Sequence, residues 1–349
     1  MKRLIIISLS LLLSVGAMAQ TFLTQVKPYG EKLWGYANQK GEIVIKPIYK
    51  VCYAFSEDGL APIYESKKYV FINTKGDVIE PEIKKIQLIK GAFGFGGVEG
   101  YHDGLVAVMQ GKKWGYLNTD GKVAIELKYE KVSPFHGGLA VARLKKDFFV
   151  LNTKGDEFKI EGDGIIDVKP FSESLTSFKT DKKLFGFIGK EGNVAIEAKF
   201  VSTGKFKGGM AWAKTSDKKV GFIDKSGAWK IDPQFEAAKD FDPVSGLARV
   251  KKDGTWTYIS ESGEIIKIAG IESMGDFHEG LAKGKKDGKT GFFNSKGEWV
   301  IKPEYESARN FKNGFAAVKK DGKWGFVNNT GQLVVEPSFA AVKDMELVD

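Results

Sequence analysis

Three histidines, His102, His136 and His278, each stand two residues before the glycine of a recurring aromatic-x-x-Gly-Leu block, so they hold one repeated position rather than three independent ones. Histidine can ligate a metal or move protons, but no cysteine or carboxylate set recurs beside these three at ligand spacing. No Ser-His-Asp or Cys-His arrangement stands out from the repeat pattern, and carboxylates such as Glu80, Glu126 and Glu336 precede prolines or close strands. The sequence therefore names no catalytic residue, metal ligand or cofactor site, and points away from an enzyme.

Binding chemistry has more to offer. Lysine pairs recur at one turn position, among them Lys145-Lys146, Lys182-Lys183, Lys218-Lys219, Lys251-Lys252, Lys285-Lys286 and Lys319-Lys320. Stacked repeats would align Lys251, Lys252, Lys285, Lys286, Lys319 and Lys320 into a ridge that attracts an anionic polymer in a salt-dependent way; the same lysines would equally keep repeat edges soluble. A glycine-rich stretch, Gly91-Ala92-Phe93-Gly94-Phe95-Gly96-Gly97, lies in an insertion spanning residues 85–100 and presents Phe93 and Phe95 on a loop suited to binding. It lacks the lysine-serine pair and following helix of a phosphate loop. Trp212, Trp229 and Trp299 could stack on sugars or pack inside. Cys52, the single cysteine, reads as a buried thiol.

The elements that position these groups come from a repeat. Nine unit starts fall at Trp34, Tyr69, Trp114, Phe148, Phe185, Val220, Trp256, Thr290 and Trp324, and a glycine follows each by seven residues, from Gly41 to Gly331. Asn or Asp three residues before most of these glycines supplies an Asx turn, which together with a positive-φ glycine makes a hairpin. A third strand opens at the Gly-Leu-Ala block and reaches the next unit through turns such as Lys320-Asp321-Gly322-Lys323. Each unit is thus a meander of three antiparallel strands, too small to bury its own apolar face, and must lean on its neighbours. Two positions after the start stands an aromatic in eight of nine units, followed by an apolar residue, so both faces of that strand are covered.

Lys113-Trp114-Gly115-Tyr116 and Lys323-Trp324-Gly325-Phe326, with Ile45-Lys46-Pro47-Ile48-Tyr49 and Ile301-Lys302-Pro303-Glu304-Tyr305, resemble the WG-containing (KWG) repeat of bacterial proteins. The resemblance runs through residues 20–349 and implies no defined activity. Units starting at Phe148 and Trp256 depart from it, lacking the Pro-x-aromatic element. Nine thin units favour an open, superhelical all-β array over the four to eight blades usual in a ring. A closed, propeller-like toroid is the alternative, since residues 22–26 look like an isolated third strand and the chain ends soon after a second strand.

Composition fits a globular β protein: 42 glycines without a three-residue period mean turns at short intervals. Lys2 and Arg3, an apolar run over residues 4–15 and Ala17-Met18-Ala19 read as a secretory signal cleaved near Ala19, too short for a membrane span. That predicts a periplasmic, cell-surface or secreted chain. Without Lys2 and Arg3 the net charge falls from +9 to +7, and the remaining arginines are Arg143, Arg249 and Arg309, which argues against nucleic acid. The expected function is a non-enzymatic scaffold of the cell envelope that engages a protein partner, with binding of an envelope polysaccharide or other anionic polymer as the alternative.

Overall fold

The hairpins form as their turn residues dictate. The computed structural model describes residues 20–91 and 97–348, and every regular element among them is a strand. In the last unit, strand Lys323–Asn328 returns through Gly331 as Leu333–Val342. Asn328 Oδ1 accepts from Gln332 N at 2.9 Å, and Gly331 N donates to Asn328 O at 3.0 Å. All nine turn glycines have φ between 77° and 88°, where a side chain is strained. The hairpin that leads into this unit turns on an Asp-Gly pair: Asp321 and Gly322 have φ of 49° and 74°, positive at both central residues as a two-residue hairpin loop requires.

The Trp-Gly glycine has a different reason. Pairing shifts register between Trp324 and Phe326, where Trp324 faces Phe339 and Phe326 faces Val335, so the return strand bulges. That bulge presses its backbone onto Gly325, where an added Cβ would lie 2.8 Å from Pro337 N; Gly35, Gly221 and Gly291 meet Pro47, Pro233 and Pro303 at 2.7–2.8 Å. Proline fits there because the bulge asks no ladder hydrogen bond of it. Gly115 and Gly186 meet return-strand backbone in the same way with Leu127 and Ala198 in the proline's place, so it is the bulge of the unit's own return strand that requires the glycine.

Neighbouring units join through aromatics. In seven units the ring two residues after the start meets edge-on the aromatic that opens the next unit's inner loop, as in Tyr36 with Phe55, Tyr116 with Phe135, Phe222 with Phe241, Tyr258 with Phe277 and Phe292 with Phe311, at centroid distances of 4.7–5.1 Å. Such a pair contributes about 0.5–1.5 kcal/mol beyond the area it buries. Tyr36, Tyr116 and Tyr258 also donate their hydroxyls to Tyr53 O, Ser133 O and Gly275 O at 2.6–2.8 Å, so these three hydroxyls are satisfied where they are buried.

The expected meanders acquire a fourth strand. Val123–Tyr129 closes one sheet, and the chain continues almost directly as Lys131–Val132, the innermost strand of the next, paired with Leu139–Leu144. Numbered by the unit start each contains, sheets 3 to 8 have four strands of this kind, while sheet 2 receives only the Cys52–Ile63 bridge.

Of the two arrangements weighed for the array, the closed one is realised and the open superhelix is not. Strand Thr21–Pro28 of sheet 1 pairs outward with Trp34–Asn38 and inward with the chain's end: Val26 faces Val342, Leu23 faces Glu346 and Thr21 faces Val348. Residues 340–348 thus give sheet 1 the inner strand that each other sheet draws from its predecessor. Gly41 packs on Val335 of sheet 9 as Gly76 packs on Ile45 and Gly227 on Ile196. The inner strand is two residues long in sheets 3, 4, 6, 7 and 9, four in sheet 5 and six in sheet 8. Among the described residues no helix is long and apolar enough to cross a membrane.

Candidate functional site

Closure places one loop residue from each sheet around the ring's opening. The residue after each inner aromatic or Met345 bridges back to the start of the following strand: His102 to Leu105, His136 to Leu139, Ser172 to Leu175, Lys207 to Met210, Asp242 to Leu247, Lys312 to Phe315, His278 to Leu281 and Glu346 to Leu23, with Ser56 N bonded to Leu60 O. Only two of the three histidines meet. His102 and His136, on sheets 3 and 4, have rings 5.0 Å apart, whereas His278 Nε2 lies 2.8 Å from Asn310 Nδ2. Among the described residues no three His, Cys, Asp or Glu side chains gather as a metal-holding group.

Beside the histidine pair lies a recess of about 1080 Å³, walled by sheets 9, 1, 2, 3 and 4. Its carboxylates are Glu57, Asp58, Glu99, Asp103, Asp344 and Glu346; its cations are Arg309, Lys312 and Lys343. Arg309 and Lys312 are committed: the guanidinium of Arg309 grips both oxygens of Asp344, and Lys312 Nζ reaches Glu346 at 2.7 Å. A hydrogen bond from His102 holds the Glu99 carboxyl below the usual carboxylate range, with a smaller pull from Lys312 of sheet 9. Burial pushes up the Cys52 thiol in the recess wall, and Gln25 Nε2 donates to Cys52 O at 2.7 Å. Among the described residues Asp58 Oδ2 is buried without a partner. In a chain of net charge +9 this recess is locally acidic.

The insertion supplies part of the wall. Residues flanking its tip pair as a small hairpin, Lys90 opposite Val98, and residues 97–101 line the recess. Phe93 and Phe95 lie outside the described residues.

The lysine pairs sit elsewhere, at the tips of the hairpins that lead into each Trp-Gly strand. Lys320 pairs with Glu304 at 2.8 Å and Lys251 approaches Glu236 at 3.8 Å, while Lys252 Nζ contacts Gln234. Lys285 and Lys286 are exposed, and Lys319 is half-buried. The tryptophans outside the Trp-Gly position pack: Trp229 stands edge-on to Phe200, Trp299 to Phe293, and Trp212 against Gly204.

Sequence reasoning passed over the acidic residues at the ring's loops. Each grips the backbone of the next sheet. Glu173 accepts from Gly208 N and Gly209 N at 2.6 and 3.0 Å; Asp242 from Glu279 N and Gly280 N at 3.0 and 2.9 Å; Glu279 from Asn313 N and Gly314 N at 2.7 and 2.8 Å. Asp58 and Asp103 each accept once, from Gly104 N and Gly138 N. These clasps bind neighbouring sheets by charge-assisted hydrogen bonds. For Asp58, Asp103 and Glu279 an acid just before the glycine of the Gly-Leu block was the visible signal; Glu173, followed by Ser174, and Asp242, four residues before Gly246, carried none.

Residues 34–69, 114–146, 185–218, 221–256, 256–289, 291–324 and 324–346 each match the WG-containing repeat. No curated protein matches the chain significantly. Among solved structures, that of a eukaryotic initiation factor superposes with a TM-score of 0.61 at 11% identity, covering 95% of this chain and 98% of that one. The computationally designed Ika8 protein (TM-score 0.44, 13% identity, 79% and 94% covered) and BamB from Moraxella catarrhalis (0.39, 12%, 74% and 88%) are more distant. Identities this low speak to the fold alone.

Proposed function

Because the chain belongs to the WG-containing repeat family, whose match spans more than half of it, we propose that it is an exported, non-enzymatic binding or scaffold protein of the cell envelope that engages a protein partner at the mouth of its ring. The observation that carries this reading is the recess: residues departing from the repeat converge there, from the base of the insertion to the Arg309–Asp344 pair and the two histidines. Repeat positions serve packing and are shared by all units, so selectivity for a partner resides where units differ.

The alternative, an anionic polymer held along the hairpin lysines, draws less support because Lys251 and Lys320 already face carboxylates. A photo-crosslinking residue at Glu57, in the recess, is expected to capture one envelope protein, whereas the same residue at Lys286 captures none. Capture from Lys286 alone, or retention on an anionic matrix that drops with salt and with neutralisation of Lys285 and Lys286, would favour the polymer. Export predicts a mature chain beginning near Gln20 in the envelope fraction; a chain that keeps residues 1–19 in the cytoplasm would remove it.

A further inference from the structure

We propose that the inner turn of sheet 5, through the backbone N–H groups of Glu173 and Ser174, binds a carboxylate borne by a protein partner. The inference deepens the proposed function and rests on the ring's mouth being the binding face. The molecule itself supplies the precedents. In sheets 6, 8 and 9 the two residues after the ring position (Gly208 and Gly209, Glu279 and Gly280, Asn313 and Gly314) turn both N–H groups toward one carboxylate of the preceding sheet. Successive N–H groups in such a turn form a concavity that suits an anion.

Sheet 5 has the same turn. Glu173 and Ser174 take φ of 51° and 68°, against 53° and 85° for Glu279 and Gly280, and the Ser172–Leu175 bridge closes it as Lys207–Met210 closes sheet 6. The residue of sheet 4 placed to supply the clasp is Gly137, where sheets 5 and 8 carry Glu173 and Glu279. Glycine has no carboxylate to extend. Among the described residues no side chain accepts from Glu173 N or Ser174 N, and both residues are exposed. The carboxylate of Glu173 does not repel an incoming anion strongly, because it is turned toward sheet 6 and paired with Lys225 at 3.1 Å. Lys207 stands at the ring position of that same sheet.

Other junctions lacking a clasp differ in kind. In sheet 7, Pro243 has no N–H and Asp242 accepts from its own turn at Ser245 N. Sheet 2 has a longer turn that carries Glu57 and Asp58. At sheet 1, Asn313 Nδ2 donates to Met345 O, the reverse polarity.

The turn can be tested without any partner. Sodium acetate titrated into the ¹⁵N-labelled full chain, against sodium chloride at equal ionic strength, should shift the Glu173 and Ser174 amides saturably. Gly137→Glu places the missing carboxylate one sheet back, at a position with open space around its Cβ. It should abolish the acetate response, while Gly137→Asn, which takes on the same positive φ of 61°, should keep the response. No acetate-specific shift, or a shift that persists in Gly137→Glu, would overturn the site yet leave partner binding at the recess standing. Two peptides then separate the carboxylate sources: one with an acidic side chain and an amidated end, the other with a free C-terminus and no acidic side chain. Competition by either supports a protein-borne carboxylate, and failure of both to compete with acetate refutes it.

Discussion

At the residue scale, the repeat's glycines divide by what surrounds them. Gly322 has open space at its Cβ and is kept for its positive φ, whereas Gly325 would drive a Cβ into the backbone of its own return strand. Gly325→Ala should cost about 1–3 kcal/mol, as overpacking does, and Gly322→Asn much less, since asparagine tolerates that φ. Urea unfolding of both variants checks this; equal costs would mean the bulge yields freely. His278 carries a pH dependence of known sign. Burial holds its proton affinity below the ordinary value, helped by Lys207 and opposed by Asp276 and Asp242, and the neutral ring nitrogen can accept from Asn310. The unfolded chain then binds the proton more readily than the folded one, so stability falls as pH drops through the ordinary histidine range near about 6.5. His278→Gln should flatten part of that slope between about pH 7.5 and 5.5; an unchanged slope would assign it to other groups.

At the scale of elements, local chemistry was legible and pairing between units was not. Asx-glycine and Asp-Gly turns fix hairpins within a few residues, so strands such as Lys323–Asn328 could be placed from sequence. The units starting at Phe148 and Trp256 have return strands of only Glu157–Lys159 and Ile265–Ile266, paired without the bulge, against seven residues in Trp299–Tyr305; the aromatic rather than the proline tracks this, since Val123–Tyr129 and Val194–Phe200 keep length and bulge without a proline while Val78–Ile79 is short despite Pro81. The borrowed inner strand escaped notice because in most sheets its two residues carry no periodicity, and its partner is set by the direction in which the preceding strand leaves its sheet. The recess was illegible for a related reason. Glu99, Asp58 and Arg309 are far apart in sequence and become neighbours only through closure.

At the scale of the whole molecule, the seam decides how the ring behaves. If the junction of sheets 9 and 1 equals the others, Met345 does there what Phe311 does between sheets 8 and 9: each is buried, 1% and 3% exposed, against the second-position aromatic of the preceding sheet, Phe326 and Phe292 respectively. The seam also carries its own ties, Lys343 N to Gln25 O at 3.0 Å matching Arg309 N to Ala317 O at 2.8 Å. Truncating a buried Met or Phe to alanine typically costs about 2–5 kcal/mol. Met345→Ala is therefore expected to fall in that range, close to Phe311→Ala, in the same urea titration. A loss below about 0.5 kcal/mol, the scale of surface substitutions, would mean that the C-terminal strand frays. Sheet 1 would then be a weak point, and because Lys343, Asp344 and Glu346 wall the recess, its shape would open and close with the seam. A full cost instead fixes the recess as a rigid site, held by the strand that completes the ring.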